Sequence, residues 1–168
     1  MELYNCIDFW AEGEEPVSDA DIRLAEKKLG VKLPPSYKEL LKVKNGGTLN
    51  YPKFFLEEKD KERITIPEIN GIDFEGEKGI LASKHWIKEC GLPNHIIILW
   101  GDYHSWIALD YNETNQHPTV VYLYTDYENW NWNQIEIAKD FDRFLKKLSR
   151  GYILHPEKLK PSYTRKKK

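Results

Sequence analysis

The sequence is poor in the residues that build disulfide scaffolds and thiolate-metal sites. Its 168 residues include only two cysteines, Cys6 and Cys90, which are far apart and form no C-x-x-C pair. We therefore expect free thiols in a reducing compartment rather than a disulfide framework. The chain has no apolar run of about 18 residues and no basic, apolar leader at its start, so we expect a cytoplasmic protein without a membrane span.

Motifs for phosphate and metal chemistry are missing as well. No G-x-x-x-x-G-K-[ST] or G-x-G-x-x-G stretch occurs, and the five histidines show no H-x-x-x-H or H-x-x-E-H spacing. The sequence therefore predicts no cofactor and no metal ion. A metal-assisted hydrolase using His104, Asp102 and Asp110 stays open as a minor alternative.

The stretch GDYHSWIALDY, residues 101–111, places Asp102, His104 and Ser105 almost side by side. Nucleophilic catalysis needs a base within hydrogen-bond reach of the nucleophile and a third group that orients the base. Neighbours on a tight turn rarely point inward together, and no G-x-S-x-G elbow surrounds Ser105. The pattern favours a turn between two strands, and we expect no enzymatic activity.

Aromatic residues are abundant, with six Trp and ten Tyr in the chain. Several crowd between Tyr122 and Trp132, where Tyr127, Trp130 and Trp132 lie among amide side chains. Large rings on a polar loop are typical anchors of protein interfaces, because they add rigid contact area at low entropy cost. Core packing is the main alternative. Stacking on a ligand or on single-stranded bases is the remaining alternative, and binding such bases would also need a basic groove.

The charge balance indicates the kind of partner. The net charge is −2, and the four basic residues from Arg165 to Lys168 leave −6 on the remainder. An acidic body favours a basic protein partner and disfavours direct binding of nucleic acid. Glu14 and Glu15 belong to a purely acidic stretch that could steer such a partner, although acids before a helix also stabilise its N-terminus.

Two helices are predicted in the first third of the chain. The first begins at the capping pair Ser18 and Asp21 and ends at Gly30. The second begins at Pro34-Pro35, which suit a first helical turn, and ends at Asn45-Gly46-Gly47.

The remainder predicts short strands followed by a closing helix, and hence a single α+β domain. The expected architecture is an antiparallel β-meander flanked by the N-terminal helical pair and a C-terminal helix, over residues 1–150. Residues 151–168 are expected to be a basic appendage on the surface or disordered. The segments are, in order, a strand in ERITIPEINGI (62–72), a helix in LASKHWIKEC (81–90), strands in NHIIILW (94–100), WIALDY (106–111) and TVVYLYT (119–125), a loop in DYENWNWNQ (126–134), and a helix in IEIAKDFDRFLKKL (135–148).

The pattern D-I-x-x-A-E-x-x-L-G-V-x-L-P-P-S-Y-K-E-L-L-x-x-x-N-G-G, residues 21–47, closely resembles the opening signature of the SUKH superfamily. That superfamily includes the fungal Smi/Knr cell-wall regulators and many bacterial proteins. The hairpin GDYHSWIALDY and the segment IAKDFDRFLKKL resemble its second half. The resemblance covers roughly residues 19–148.

The resemblance implies an α+β domain that works by binding proteins. Most bacterial members are taken to be immunity proteins, which block a cognate toxin that is commonly a nuclease. On this basis we expect an antitoxin, with an intracellular regulator or scaffold of the Smi/Knr type as the alternative. The residues expected to contact the partner are Trp130, Trp132 and Tyr127 as anchors, Asp102, Tyr103 and His104 on the hairpin, and Glu14 and Glu15 as steering charges.

Overall fold

A computed structural model describes residues 9–56 and 62–148 of the chain. Cys6, the appendage 151–168 and the basic residues 165–168 lie outside the described residues, so the predictions made for them stay predictions. Within the described ranges, no helix is long and apolar enough to cross a membrane.

The described residues form nine strands, four α-helices and one 3-10 turn. In chain order these are β1 (Trp10–Gly13), α1 (Asp19–Leu29), α2 (Pro35–Val43), β2 (Gly47–Leu49), β3 (Lys53–Leu56), β4 (Glu62–Thr65), β5 (Glu68–Ile69), the 3-10 turn (Ile80–Ala82), α3 (Ser83–Cys90), β6 (Ile96–Gly101), β7 (Ser105–Asp110), β8 (Thr119–Thr125), β9 (Trp132–Ala138) and α4 (Phe141–Lys147). The α+β class is confirmed.

The helical pair forms as its capping residues predict. The Ser18 hydroxyl accepts from the Asp21 backbone N–H at 3.1 Å, and the Asp21 carboxylate accepts from the Ser18 backbone in return. Gly30 follows α1 in the left-handed conformation, and Pro35 opens α2. Both boundaries follow from local chemistry, so they could be read from the sequence.

A four-stranded antiparallel meander, in the order β6-β7-β8-β9, is the largest sheet. Both faces of this sheet are buried. Ile107 and Leu109 of β7 belong to the main core together with the helical pair, whereas Trp106 and Ala108 belong to a second, smaller core under α3. The alternation predicted for WIALDY is confirmed. Burial on both sides explains why NHIIILW is a nearly continuous apolar run.

Two small sheets complete the fold, in the orders β1-β2-β5 and β3-β4. The segment ERITIPEINGI was expected to be one strand, but it divides between these two sheets at Pro67, which lies between β4 and β5. Proline cannot donate to a strand ladder, and this favours such a break. Strands β1, β2 and β3 have four residues or fewer, too short for a periodic pattern to reveal them.

The prediction for the chain's last elements is wrong in its boundaries. Residues 132–138, assigned partly to a loop and partly to a helix, form strand β9, which pairs with β8. The closing helix begins only at Phe141, because the Asp140 side chain caps it by accepting from the Arg143 backbone N–H at 2.7 Å. Ile137 therefore reaches the core from the strand and not from the helix.

Candidate protein-binding site

The β6–β7 and β8–β9 turns lie together at one end of the meander. The backbone N–H of Thr125 donates to the His104 carbonyl at 3.1 Å and joins the two turns. Their aromatic side chains face solvent: Tyr103 is 61%, Tyr127 72% and Trp130 68% exposed. We call residues 102–104 and 126–131 the hairpin rim. Five of the eight residues predicted to contact a partner lie on it.

The first turn of the hairpin rim is organised by Asp102. One carboxylate oxygen, Oδ1, accepts from the His104 backbone N–H at 3.1 Å and from the Ser105 backbone N–H and hydroxyl at 2.8 and 3.0 Å. Asp102 therefore folds the turn and does not orient the His104 ring, which lies 6.3 Å from the Tyr127 ring. The arrangement is that of an Asx turn, not of a nucleophile with its base.

Asp110, the third member of the alternative metal site, is at the opposite end of β7 from Asp102. Six strand residues, roughly 20 Å, separate the two ends. There the Asp110 carboxylate accepts from the Gln134 side-chain amide at 3.0 Å. Within the described ranges, no three His, Cys, Asp or Glu side chains are close enough to hold a metal ion together.

The second turn of the hairpin rim holds the Tyr127 and Trp130 rings 6.4 Å apart, edge to face. The Trp130 backbone N–H donates to the Asp126 carbonyl at 2.7 Å, and the Asp126 N–H donates to the Asn131 carbonyl at 3.1 Å. Trp130 and Tyr103 both have positive φ, at 59° and 72°. Bulky side chains rarely adopt this conformation, so the turns hold both rings outward at some conformational cost.

Trp132 differs from its neighbours on the loop. It is half-buried, its indole N–H donates to the Cys90 carbonyl at 2.8 Å, and its ring lies 6.5 Å from the Trp106 ring. The sequence grouped Trp132 with Trp130, but the strand register of β9 turns it toward the second core. Its contacts are those of a support beneath the hairpin rim.

A surface groove with a volume of about 760 Å³ adjoins the hairpin rim and shares Tyr103 with it. Its aromatic wall consists of Trp86, Trp100, Tyr103 and Trp106. Its lining also includes the charged residues Glu14, Glu15, Glu68, Asp73, Glu77 and Lys78, together with glycine, asparagine and isoleucine residues. We call this surface the acidic groove.

The acidic groove contains residues that sequence reasoning did not select. Glu14, Glu15 and Tyr103 were predicted to contact a partner, and the fold places them on this one surface. Trp86 and Trp100 were assigned only to a helix and a strand. Glu68 and Asp73 come from segments without a motif, so only the tertiary arrangement identifies them.

The N-G-G motif, Asn45-Gly46-Gly47, forms part of the groove lining. The Asn45 side chain donates to the Ile72 carbonyl and accepts from the Ile72 N–H, both at 2.7 Å. Gly46 has φ 78°, and a Cβ built on it would lie 2.4 Å from the Gly71 nitrogen. The motif was expected to end a helix, which it does. It also lets two backbone segments approach more closely than any side chain would permit.

Tyr37 of the L-P-P-S-Y motif connects the helical pair to the same region. Its hydroxyl donates to the Asn70 carbonyl, and the Asn70 backbone N–H donates to the Leu99 carbonyl of β6 at 2.7 Å. Complete burial raises the pKa of Tyr37, and the nearby Tyr111 raises it further. The phenol therefore stays protonated and remains a donor.

Comparison with known protein sequences gives the family of the chain. No curated protein sequence matches the chain. The sequence profile described as the SMI1 / KNR4 family (SUKH-1) matches residues 16–147, which include the helical pair, the meander and the groove apart from Gly13, Glu14 and Glu15. The match spans well over half of the chain, and the protein therefore belongs to the SMI1 / KNR4 (SUKH-1) family.

Proposed function

We propose that this protein is an immunity protein that neutralises a cognate toxin, such as a basic nuclease, by binding it directly and without catalysis. The observation that carries the proposal is the hairpin rim, where Tyr103, Tyr127 and Trp130 are all more than 60% exposed on adjoining turns. Exposed rings held by rigid turns suit a protein partner better than a small ligand. Membership of the SUKH-1 family supports the same function.

The energetics of the hairpin rim fit this role. Tyr and Trp side chains lose little rotamer freedom on binding, and they are over-represented among the residues that dominate interface energies. The turns already hold the rings outward, so less ordering is needed when the partner binds. A stable complex would bury about 1,200–2,000 Å² in total, which requires surface beyond the rim itself.

The acidic side chains near the rim suit the charge of the proposed partner. Asp102, Asp126 and Glu128 lie on the hairpin rim, and Asp102 and Asp126 also accept hydrogen bonds within their own turns. Carboxylates at the edge of an interface chiefly raise the association rate with a basic surface. A nuclease must bind phosphate, so its substrate site is basic and would be attracted to this face.

Co-expression with a candidate toxin domain, sought first among the neighbouring genes, tests the proposal. The wild-type chain should restore growth, and Tyr127→Ala/Trp130→Ala should protect poorly. Loss of both anchors should weaken the complex by about 2 kcal/mol or more, roughly thirty-fold in Kd, as measured by calorimetry. We omit Trp132 from the double variant, because its truncation would also open the second core.

Leu24→Ala is the matched control, since Leu24 is a large apolar residue, 45% exposed, on helix α1. It should protect as well as the wild type. Full protection by the double variant would show that the hairpin rim does not anchor the complex. If the wild-type chain neither binds the toxin nor protects, the immunity function itself is wrong, and capture of an endogenous signalling protein would favour a regulator.

A further inference from the structure

We infer that the acidic groove is a second docking site, which receives an extended segment of the protein partner and holds an arginine side chain against the aromatic wall. The inference rests on the proposed function, because the occupant is taken to belong to the same partner. It adds a site, a ligand chemistry and a residue preference to the hairpin rim.

The charge of the groove selects a cationic occupant. Five carboxylates and one ammonium group line it, a net charge of −4. None of these five carboxylates forms an ion pair with another residue in the parts of the chain that the structure describes. Such a surface repels phosphate, so a nucleic-acid occupant is disfavoured, while a basic peptide would satisfy charges that the fold leaves unpaired.

The aromatic wall favours arginine over lysine. The Trp86 ring lies 5.4 Å from the Tyr103 ring and 6.3 Å from the Trp106 ring, and the last two lie 6.2 Å apart. A planar guanidinium group can stack on such rings while its N–H groups bind carboxylates, whereas an ammonium group only offers a point charge. The groove is lined both by aromatic rings and by carboxylates without ion pairs among the described residues, so it offers both kinds of contact.

The state of Trp106 is a further observation. The residue is 4% exposed, and its indole nitrogen has no hydrogen-bond partner among the described residues. A buried N–H without an acceptor is energetically unfavourable. Trp106 also lines the groove, and its buried ring would have to shift on binding before this N–H could donate to a backbone carbonyl of the bound segment.

The groove and the hairpin rim are continuous through Tyr103, which belongs to both. One partner can therefore place its main contact surface on the rim and extend a loop into the groove. Linking two contacts in this way adds affinity without requiring either to be strong alone.

Fluorescence anisotropy with a labelled hexa-arginine peptide and the purified full chain tests the inference. The peptide should bind in low salt, bind less well in 0.5 M NaCl, and bind more tightly than hexa-lysine. Glu14→Gln/Glu15→Gln should weaken binding by about five-fold or more, since each exposed charge contributes modestly. Trp86→Leu should reduce the preference for arginine over lysine, with folding checked by thermal unfolding.

Two controls separate this inference from the proposed function. Glu113→Gln removes an exposed carboxylate outside the groove and should leave peptide binding unchanged. Trp130→Ala should also leave it unchanged, although it weakens neutralisation of the toxin. Equal binding of the peptide to wild type and Glu14→Gln/Glu15→Gln, or equal affinity for hexa-lysine, would overturn the groove inference. The role of the hairpin rim would still be tested separately, by the protection of cells against the toxin.

Discussion

Single residues on the hairpin rim combine exposure with an unfavourable backbone conformation. Trp130 has φ 59° and Tyr103 has φ 72°, yet both are large side chains at positions where glycine would be easier to accommodate. An L-residue in the left-handed region costs about 1 kcal/mol or more relative to glycine. Retaining tryptophan there is understandable if the ring serves binding and not the stability of the turn.

Trp130 should therefore show opposite effects on stability and on binding. Trp130→Gly and Trp130→Ala both remove the ring, but the glycine variant should be more stable than the alanine variant by about 1 kcal/mol. Both should bind the partner equally poorly. Urea unfolding of the two variants measures the difference in free energy.

Tyr127 provides the control, since its φ is not positive. There Tyr127→Gly should be less stable than Tyr127→Ala, because glycine loses more conformational freedom on folding. The same order of stability at both positions would contradict the assignment of strain to Trp130.

At the scale of whole elements, the sequence predicted those pieces whose boundaries are set by local chemistry. The capping box at Ser18, the Gly30 stop and the alternation in β7 were all read correctly. Strand β9 was missed because Ile137, Phe141, Phe144 and the leucines after them also fit a helical spacing. Asp140 decides the outcome, since a capping aspartate starts the helix only there.

The candidate site was less predictable than the fold. Exposed aromatics on the β8–β9 turn could be selected from composition, and the structure exposes Tyr127 and Trp130 but half-buries Trp132. Trp130 lies in the turn with positive φ, whereas Trp132 begins strand β9 and packs against the second core. The groove could not be predicted, because it joins β1, β5 and β6, which pair or pack only through long-range contacts.

The contact between the N-G-G segment and Gly71 gives a prediction at this scale. Gly46 and Gly30 have similar positive φ, 78° and 73°, but a Cβ on Gly46 would meet the Gly71 nitrogen at 2.4 Å, while Gly30 has nothing within 4 Å. Gly30→Ala should destabilise the protein by about 1 kcal/mol, the cost of the conformation alone. Gly46→Ala should cost a further ~1–3 kcal/mol, because the two backbones must separate.

Denaturant unfolding of the two variants checks this difference. Gly46→Ala should also weaken hexa-arginine binding, since the groove floor moves. Equal destabilisation by the two substitutions would mean that the N-G-G motif serves only to end α2.

At the scale of the whole molecule, Glu26 is a buried charge close to where the helical pair meets the meander. This carboxylate is 4% exposed and accepts from the Leu33 backbone N–H at 2.9 Å, from Lys38 at 3.2 Å and from Lys32 at 3.4 Å. The Lys32 carbonyl in turn accepts from the Tyr111 hydroxyl at 2.7 Å. A single buried charge therefore fixes the link between α1 and α2 and its contact with the end of β7.

Glu26 should make the stability of the whole fold depend on pH. Burial alone would raise the pKa of Glu26, but the Leu33 hydrogen bond and the charges of Lys38 and Lys32 lower it below the ordinary value of 4.5. The folded state then binds fewer protons than the unfolded state, so this stabilisation is complete above pH 4.5 and disappears as pH falls through the folded pKa.

Glu26→Gln should lose about 1–3 kcal/mol at pH 7, because the charge-assisted bonds are replaced by weaker ones. Its stability should fall less steeply than that of the wild type below pH 4.5. Urea unfolding at pH 7 and under acidic conditions measures both effects, with Glu39→Gln, whose side chain is 60% exposed, as the matched control. A parallel decline of wild type and Glu26→Gln in acid would show that other carboxylates govern the acid sensitivity of the fold.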